Sequence, residues 1–347
     1  MRSPQPFEHG SFFHLELSMG GTHAPWIPAG ASWFGTARDA LRAIVQDSRG
    51  PRIRRLLLPT YYCHDVTDAL RDSLDIDFYP DGPRDEPHTL ELRDDEAAIA
   101  VDYFGAPHHL EVVGGTMIRD ATHDPLLPHP GDRLADFVIA SLRKTLPVPD
   151  GALVWSEAGR TPPASPPPTR EHLEAVTHLI TGMTLKLAYL QGFVMEKDAF
   201  LQPLRSGETA LGPNVALSGV SELTRHLATA MDVHGWLERR QQNQRRFADA
   251  FGSSAGGFRL LDHPAFAILL APGHEARDRA RQALIRSGIY PAILWEQPRP
   301  TTPHDHLDLA DRILVLHVDG RYGPEETDRM ASAVRAVAHQ GGAADEG

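Results

Sequence analysis

The stretch with the most chemical content in this 347-residue chain is Ser141-Leu142-Arg143-Lys144. Of its 34 basic residues only Lys144, Lys186 and Lys197 are lysines. Arginine serves a surface role as well as lysine but cannot give up its proton, so a retained lysine points to a need for an uncharged amine. An ordinary lysine, with a pKa near about 10.4, is a poor nucleophile at neutral pH. Burial or a neighbouring cation must lower it, and Arg143 is adjacent. The plain alternative is a strand-end lysine that meets solvent. Asp120 closes a second apolar run, with His123 three residues on. A buried acid there can hold a ring nitrogen protonated and make the ring an electron sink, and His123 could bond a phenolic oxygen beside it. The alternative is an acid capping a turn beside a surface histidine.

Two further stretches belong with these. Gly35-Thr36-Ala37 opens a helix whose exposed N–H groups and dipole suit a phosphate, although an ordinary cap would look the same. Tyr61, Tyr62, Cys63 and His64 cluster between a strand and a helix. A flat side chain there could stack on a planar ring. Otherwise the aromatics simply pack, with Cys63 a small filler.

The elements that must position these residues follow from periodicity. Residues 36–47 place Ala37, Ala40, Leu41, Ile44 and Val45 on one helical face, behind a cap made by Thr36 and Asp39. Strands are predicted at 54–59, 76–80, 97–105, 116–121, 136–142 and 151–156, with a helix at 66–73. Most are apolar throughout, which predicts an α/β fold with a mainly parallel sheet covered on both faces. A connector at 159–169 holds five prolines. Helical patterns run from about 170 to 200 and from 217 to 252. A smaller α/β domain follows, with strands at 265–272 and 312–318 and helices at 276–288 and 324–340. The expected division is an N-terminal segment (1–24), a large domain (25–235) and a small C-terminal domain (236–347).

Composition excludes several classes. The formal charge is −12 with no basic block, which argues against a nucleic-acid partner. No apolar run is long enough to span a membrane, and the start lacks a cleavable apolar core, so a cytoplasmic protein is expected. A single cysteine, Cys63, allows no intrachain disulfide. Among the 19 histidines, His108 and His109 would point to opposite faces of a strand. His304 and His306 read as a Pro-rich loop with no third ligand, so no metal is expected. Lys186 and Lys197 read as solvated helix faces. Arg321, beside Tyr322, could fork onto a substrate carboxylate or pair with Asp319.

Phosphate helix, aromatic shelf, ring-nitrogen acid and amine, in this order, resemble the fold type I pyridoxal-phosphate enzymes. Within them the chain is similar to a shorter branch of the DegT/DnrJ/StrS-type aminotransferases. Residues 141–151, SLRKTLPVPDG, resemble the family's lysine segment. SGIYPAILW (287–295) and HVDGRYG (317–323) resemble its C-terminal signatures, and the likeness spans about residues 30–335. The resemblance implies a fold type I PLP-transferase-like large domain, a smaller C-terminal α/β domain and pyridoxal 5'-phosphate as cofactor. Lys144 would be the Schiff-base lysine and proton carrier. Asp120 would face the ring nitrogen and His123 the phenolic oxygen. Gly35, Thr36, Ala37 and Ser141 would serve the phosphate. Tyr62, Cys63 or His64 would lie against the ring, and Arg321 and Tyr322 near the substrate. Asn214 would reach the phosphate of a neighbouring subunit, which implies a homodimer with shared active sites.

The chain departs from the family pattern at Cys63, where the stacking residue falls, at Ala152, where glycine is usual, and at His317, where proline is expected. These departures weaken any inference to a nucleotide-sugar substrate. The leading function is transfer of an amino group from a small-molecule donor to a keto or aldehyde acceptor in natural-product or sugar biosynthesis. The alternatives are elimination, decarboxylation or carbon–carbon chemistry on an amino acid, and a catalytically silent binding or regulatory protein of the same fold.

Overall fold

The computed structural model describes residues 6–16, 25–128, 133–193, 196–212, 216–299 and 301–342. It divides into two compact units, one of residues 13–233 and one of residues 1–12 with 234–347. In the smaller unit β1 (His9–Gly10) pairs in parallel with a strand near residue 290. A two-residue strand leaves no periodic trace in a sequence.

The larger unit carries, in order, β2 (Ser32–Phe34), α1 (Ala37–Gln46), β3 (Arg55–Pro59), α2 (His64–Leu70), β4 (Asp75–Tyr79), β5 (His88–Val101), β6 (Leu110–Asp120), β7 (Phe137–Ser141), β8 (Ala152–Trp155), α3 (Arg170–Leu190), α4 (Asp198–Ala210) and α5 (Glu222–Ala230). Its seven-stranded sheet has the order β2-β8-β7-β6-β5-β3-β4. The pairs from β7 through β4 are parallel, and β8 runs antiparallel to both its neighbours. Cover on both faces of the sheet explains the uninterrupted apolar runs, since Phe137–Ser141 and Ala152–Trp155 are buried throughout. Helix α1 starts as its sequence predicts: the Thr36 side chain accepts from the Asp39 N–H. It buries Ala40, Leu41, Ala43 and Ile44, and each fully buried Leu or Ile contributes about 1.5–3 kcal/mol.

The long helical patterns resolve into shorter helices. Helix α3 stops before Gly192, which has φ +79°, and Met231 is extended between α5 and the helix that follows. Helices α3 and α4 approach closely where they carry glycine. A Cβ on Gly182 would lie 2.5 Å from Leu204, and one on Gly207 2.5 Å from Leu179. Lys186 corrects the sequence reading: it is 1% exposed on α3, its Nζ 5.9 Å from the Phe200 ring, rather than on a solvated face. Lys197 is half-buried beside Tyr189. Strands β5 and β6 extend further toward their N-termini than predicted. Leu90, Leu92, Leu110 and Val112 pack together there on one face.

The smaller unit contains α6 (Val233–Phe251), β9 (Ser254–Ala255), β10 (Phe258–Leu261), β11 (Phe266–Leu270), α7 (His274–Arg286), β12 (Ile289–Tyr290), α8 (His304–Arg312), β13 (Ile313–His317) and α9 (Pro324–Gly342). Its antiparallel sheet has the order β13-β11-β10-β9. The core joins Phe247 and Phe251 to Leu269, Leu284, Leu314 and Met330. His304 and His306, read as loop residues, begin α8. Residues two apart on a helix face different sides, and His306 is buried while His304 is exposed.

Candidate active site

In the larger unit the carboxyl ends of β6 and β7 and the start of α1 are stitched by a short run of hydrogen bonds. Thr122, just past β6, accepts at its Oγ1 from the Ser141 N–H (3.1 Å) and at its carbonyl from Thr145 Oγ1 (2.6 Å). The Leu142 N–H donates to the Gly151 carbonyl, and the Gly151 N–H donates to the Gly35 carbonyl. Gly151 has φ +103°, a backbone that L side chains rarely adopt. These bonds bring Asp120, Ser141, Lys144 and the α1 start to one end of the sheet, beyond the carboxyl ends of its parallel strands.

Lys144 ends a single turn that follows β7. Its residue is open to solvent although protein crowds its amine, as at the mouth of a recess. The Arg143 charge and then burial pull its pKa down from 10.5 to about 8. A sizeable fraction of the amine is therefore neutral near physiological pH. Asp120 is buried at the end of β6. It accepts from the Tyr62 hydroxyl (2.6 Å) and from the Thr122 N–H (3.0 Å). Burial raises its pKa, and the bonds from Thr122 and Tyr62 oppose that rise. Burial, and then the Asp120 charge, push the Tyr62 phenol well above its usual value, so it stays a donor.

His123 is buried, and its Nδ1 accepts from the Phe104 N–H (3.1 Å). That bond assigns the neutral ring its proton at Nε2. Phe104 is held at φ +53°, a backbone strain that sequence reading missed. Its ring lies nearly parallel to that of His123, with centroids 5.7 Å apart.

No family model matches the sequence, and no curated protein sequence matches it. Solved structures do. A Streptococcus pneumoniae protein described as a sugar aminotransferase, Spr1654, superposes with a TM-score of 0.60 at 11% identity, over 91% of this chain and 88% of its own. DesI, solved with its TDP-sugar product, gives 0.57 at 18% identity over 91% and 82%. DesV of S. venezuelae gives 0.54 at 14% identity over 89% and 84%. This is the fold of the sugar aminotransferases. It is also the fold that the sequence resemblance implied.

Within this aminotransferase fold, the expected site residues meet different fates. Gly35 serves packing: a Cβ there would lie 2.4 Å from the His172 ring. The Thr36 hydroxyl is committed to Asp39, accepting its N–H and donating its one proton to the carboxylate at 2.8 Å. Tyr61 is fully buried, and its carbonyl accepts from Tyr103. Cys63 precedes α2 without capping it, and burial followed by the Asp65 charge raises its thiol, which keeps it protonated as a small packing group. His64 is half-buried as the first residue of α2. Ser141 ends β7, buried. Asn214 lies outside the described residues.

Arg321 and Tyr322 belong to the smaller unit. The Arg321 guanidinium forks onto Asp319, with both bonds at 2.8 Å, and donates a third to the Phe12 carbonyl at 3.0 Å. Burial alone would raise the Asp319 pKa, but the Arg321 charge and hydrogen bonds outweigh it and hold the carboxyl far below its usual range. Of the two readings open in the sequence, the salt bridge is the one built. Tyr322 stacks on His9 at 3.6 Å and accepts from the Gly10 N–H.

Sequence reading also missed two buried networks in the aminotransferase fold. Asp102 takes the His108 N–H, His108 Nδ1 and Arg119 Nε, and Arg119 goes on to Glu157. His109 is exposed, so the two adjacent histidines do face apart. Asp150 takes His172 Nε2, the Ser221 N–H and Oγ, and Thr224 Oγ1. The only local trace of the second is Asp150 before the turn glycine, which reads as ordinary turn chemistry.

Proposed function

We propose that this chain is a pyridoxal-phosphate-dependent aminotransferase. It moves an amino group from a small amino donor to a keto or aldehyde metabolite of natural-product or sugar biosynthesis. It works in the cytoplasm as a homodimer. The observation that carries this reading is the Lys144 amine, held at about 8, on the same hydrogen-bonded strand ends as the buried Asp120. The residues fit the cofactor. Asp120 spends three of about four acceptor positions on the Tyr62 hydroxyl and on the side chain and N–H of Thr122, which leaves capacity for a ring N–H. Lys144 is open to solvent and reactive, and α1 offers its N-terminal amides.

When bound, pyridoxal phosphate withdraws electrons from the substrate carbon next to nitrogen. Lys144 would hold the cofactor covalently. Its amine, when free, would carry a proton from that carbon to another atom of the substrate or cofactor. Asp120 would keep a proton on the ring nitrogen, and Tyr62 and Thr122 hold its carboxylate in place. The His123 Nε2–H, set by the Phe104 amide, is the donor suited to a phenolic oxygen. The sugar branch of the reading is supported by the fold neighbours, one solved with a TDP-sugar product. No described helix is long and apolar enough to cross a membrane, which is compatible with the location proposed.

The test is an absorption spectrum of the protein with added pyridoxal phosphate, before and after borohydride, beside Lys144→Ala. A visible band fixed covalently by borohydride in wild type alone, and bleached by an amino donor with release of its keto acid, is expected. A band absent from wild type, or unchanged in the variant, would overturn the reading. Light scattering checks the dimer: a mass near that of one chain would remove it.

A further inference from the structure

Two guanidiniums stand beside Lys144, and apart from the effect of Arg143 on that amine neither has a role in the reading above. Arg38 is the second residue of α1, and Arg143 precedes Lys144 in the turn after β7. Both reach the end of α4. Arg143 pairs with the Glu208 carboxylate, and Arg38 Nη2 donates to the Leu211 carbonyl. Glu208 and Leu211 are three residues apart, about 4.5 Å along a helix axis, so this helix end holds the two cations roughly one turn from each other.

Their side chains are only 14% and 13% exposed. Like charges sequestered together are costly unless matched. The matching here is incomplete. Glu208 supplies one carboxylate, Asp65 lies 3.9 Å from Arg38 with its side chain 76% exposed, and Asp39, which also acts on Arg38, is shared with Arg42. Lys144 adds a third positive charge whenever it is protonated. The α1 start, by contrast, is a poorer anion site than its sequence promised. Its Thr36 hydroxyl is committed, and the Asp39 carboxylate is buried within the first turn.

We propose that Arg38 and Arg143 form a clamp for a phosphate monoester, whose dianion supplies the missing negative charge in the planar fork geometry that guanidinium favours. The proposal rests on the aminotransferase reading for the source of that phosphate, which is either the cofactor or a phosphorylated substrate.

The test uses the purified full chain freed of cofactor, titrated calorimetrically with pyridoxal phosphate, pyridoxal and inorganic phosphate. Wild type is compared with Arg38→Gln, Arg143→Gln and Arg143→Lys. The glutamine variants should weaken pyridoxal phosphate about tenfold more than pyridoxal, a ratio in which any change at the Lys144 amine cancels, and this identifies the cofactor phosphate as the ligand. If pyridoxal phosphate binding holds but the cofactor-loaded protein loses about fivefold in affinity for inorganic phosphate, the clamp stands and serves a substrate. Arg143→Lys keeps the charge without the fork and should lose about threefold, which supplies an answer if the glutamine variant does not fold. Affinities for both phosphate probes within about twofold of wild type in both variants would overturn the clamp. If wild type captures no pyridoxal phosphate at Lys144, the aminotransferase reading falls, and the inorganic phosphate titration still decides the clamp.

Discussion

Asp120 and Asp150 are both buried carboxylates of the larger unit, and the fold treats them differently. Asp150, wholly buried before β8, takes four bonds from α3, α5 and the α5 cap. That fills about all the acceptor positions a carboxylate has. Asp120, at the end of β6, takes three, from Tyr62 and from the side chain and N–H of Thr122. A saturated carboxylate ties elements together and has nothing left for a ligand. One with an acceptor position to spare, at a strand end, keeps capacity for a donor that arrives from outside. The same contrast separates Lys144, open to solvent beside Arg143, from Lys186, enclosed between α3 and Phe200.

If the strand end is chemistry and the Asp150 hub is structure, loss of activity and loss of stability must separate. The largest effect is expected for Lys144→Ala, a fall of about 10³-fold in turnover with a melting temperature within a few degrees of wild type. Steady-state kinetics beside thermal unfolding would show it, and a variant that unfolds would break the comparison. Asp150→Ala should do the opposite. It strands the donors of His172, Ser221 and Thr224 and should cost about 3–5 kcal/mol by denaturant titration. The folded fraction should bind pyridoxal phosphate with unchanged affinity.

Asp120→Asn keeps the shape and removes the charge. Turnover should fall about 10²-fold while stability moves by less than about 1 kcal/mol. Equal losses in both would place Asp120 with Asp150. The smallest effect is a pH shift. Because the Lys144 pKa is lowered to about 8, the neutral amine predominates above that pH, and covalent capture of pyridoxal phosphate should rise with pH to a midpoint near it. Arg143 is the largest cause of the lowering, so Arg143→Gln should raise the midpoint by about one unit, toward the ordinary lysine value. A midpoint that stays put would assign the lowering to burial instead.

Much of the scaffold was legible. The runs at 136–142 and 151–156 became β7 and β8 because an apolar stretch in a covered sheet needs no partner pattern to be recognised. The Thr36 cap of α1 was legible because its donor and acceptor are three residues apart. The break between α5 and α6 was not, since Met231 carries no turn signature and is extended by its surroundings. The N-terminal part of β5 was missed although Leu90 and Leu92 alternate with polar residues, a period-2 pattern that the neighbouring charges obscured.

The sequence by itself determined the kinds of chemical group available, their order along the chain and the elements that carry them, because caps, periodicity and turn residues act over a few positions. Only the tertiary structure decided which of those groups were already consumed. Arg143 meets Glu208 across 65 residues, and His172 meets Asp150 across 22. Thr36 and Arg321 turned out to be bound by nearby acids, although the sequence allowed them a ligand. Burial is what makes such pairing compulsory, since a polar group removed from water must find a partner, and where that partner lies is set by the packing of elements far apart in the chain.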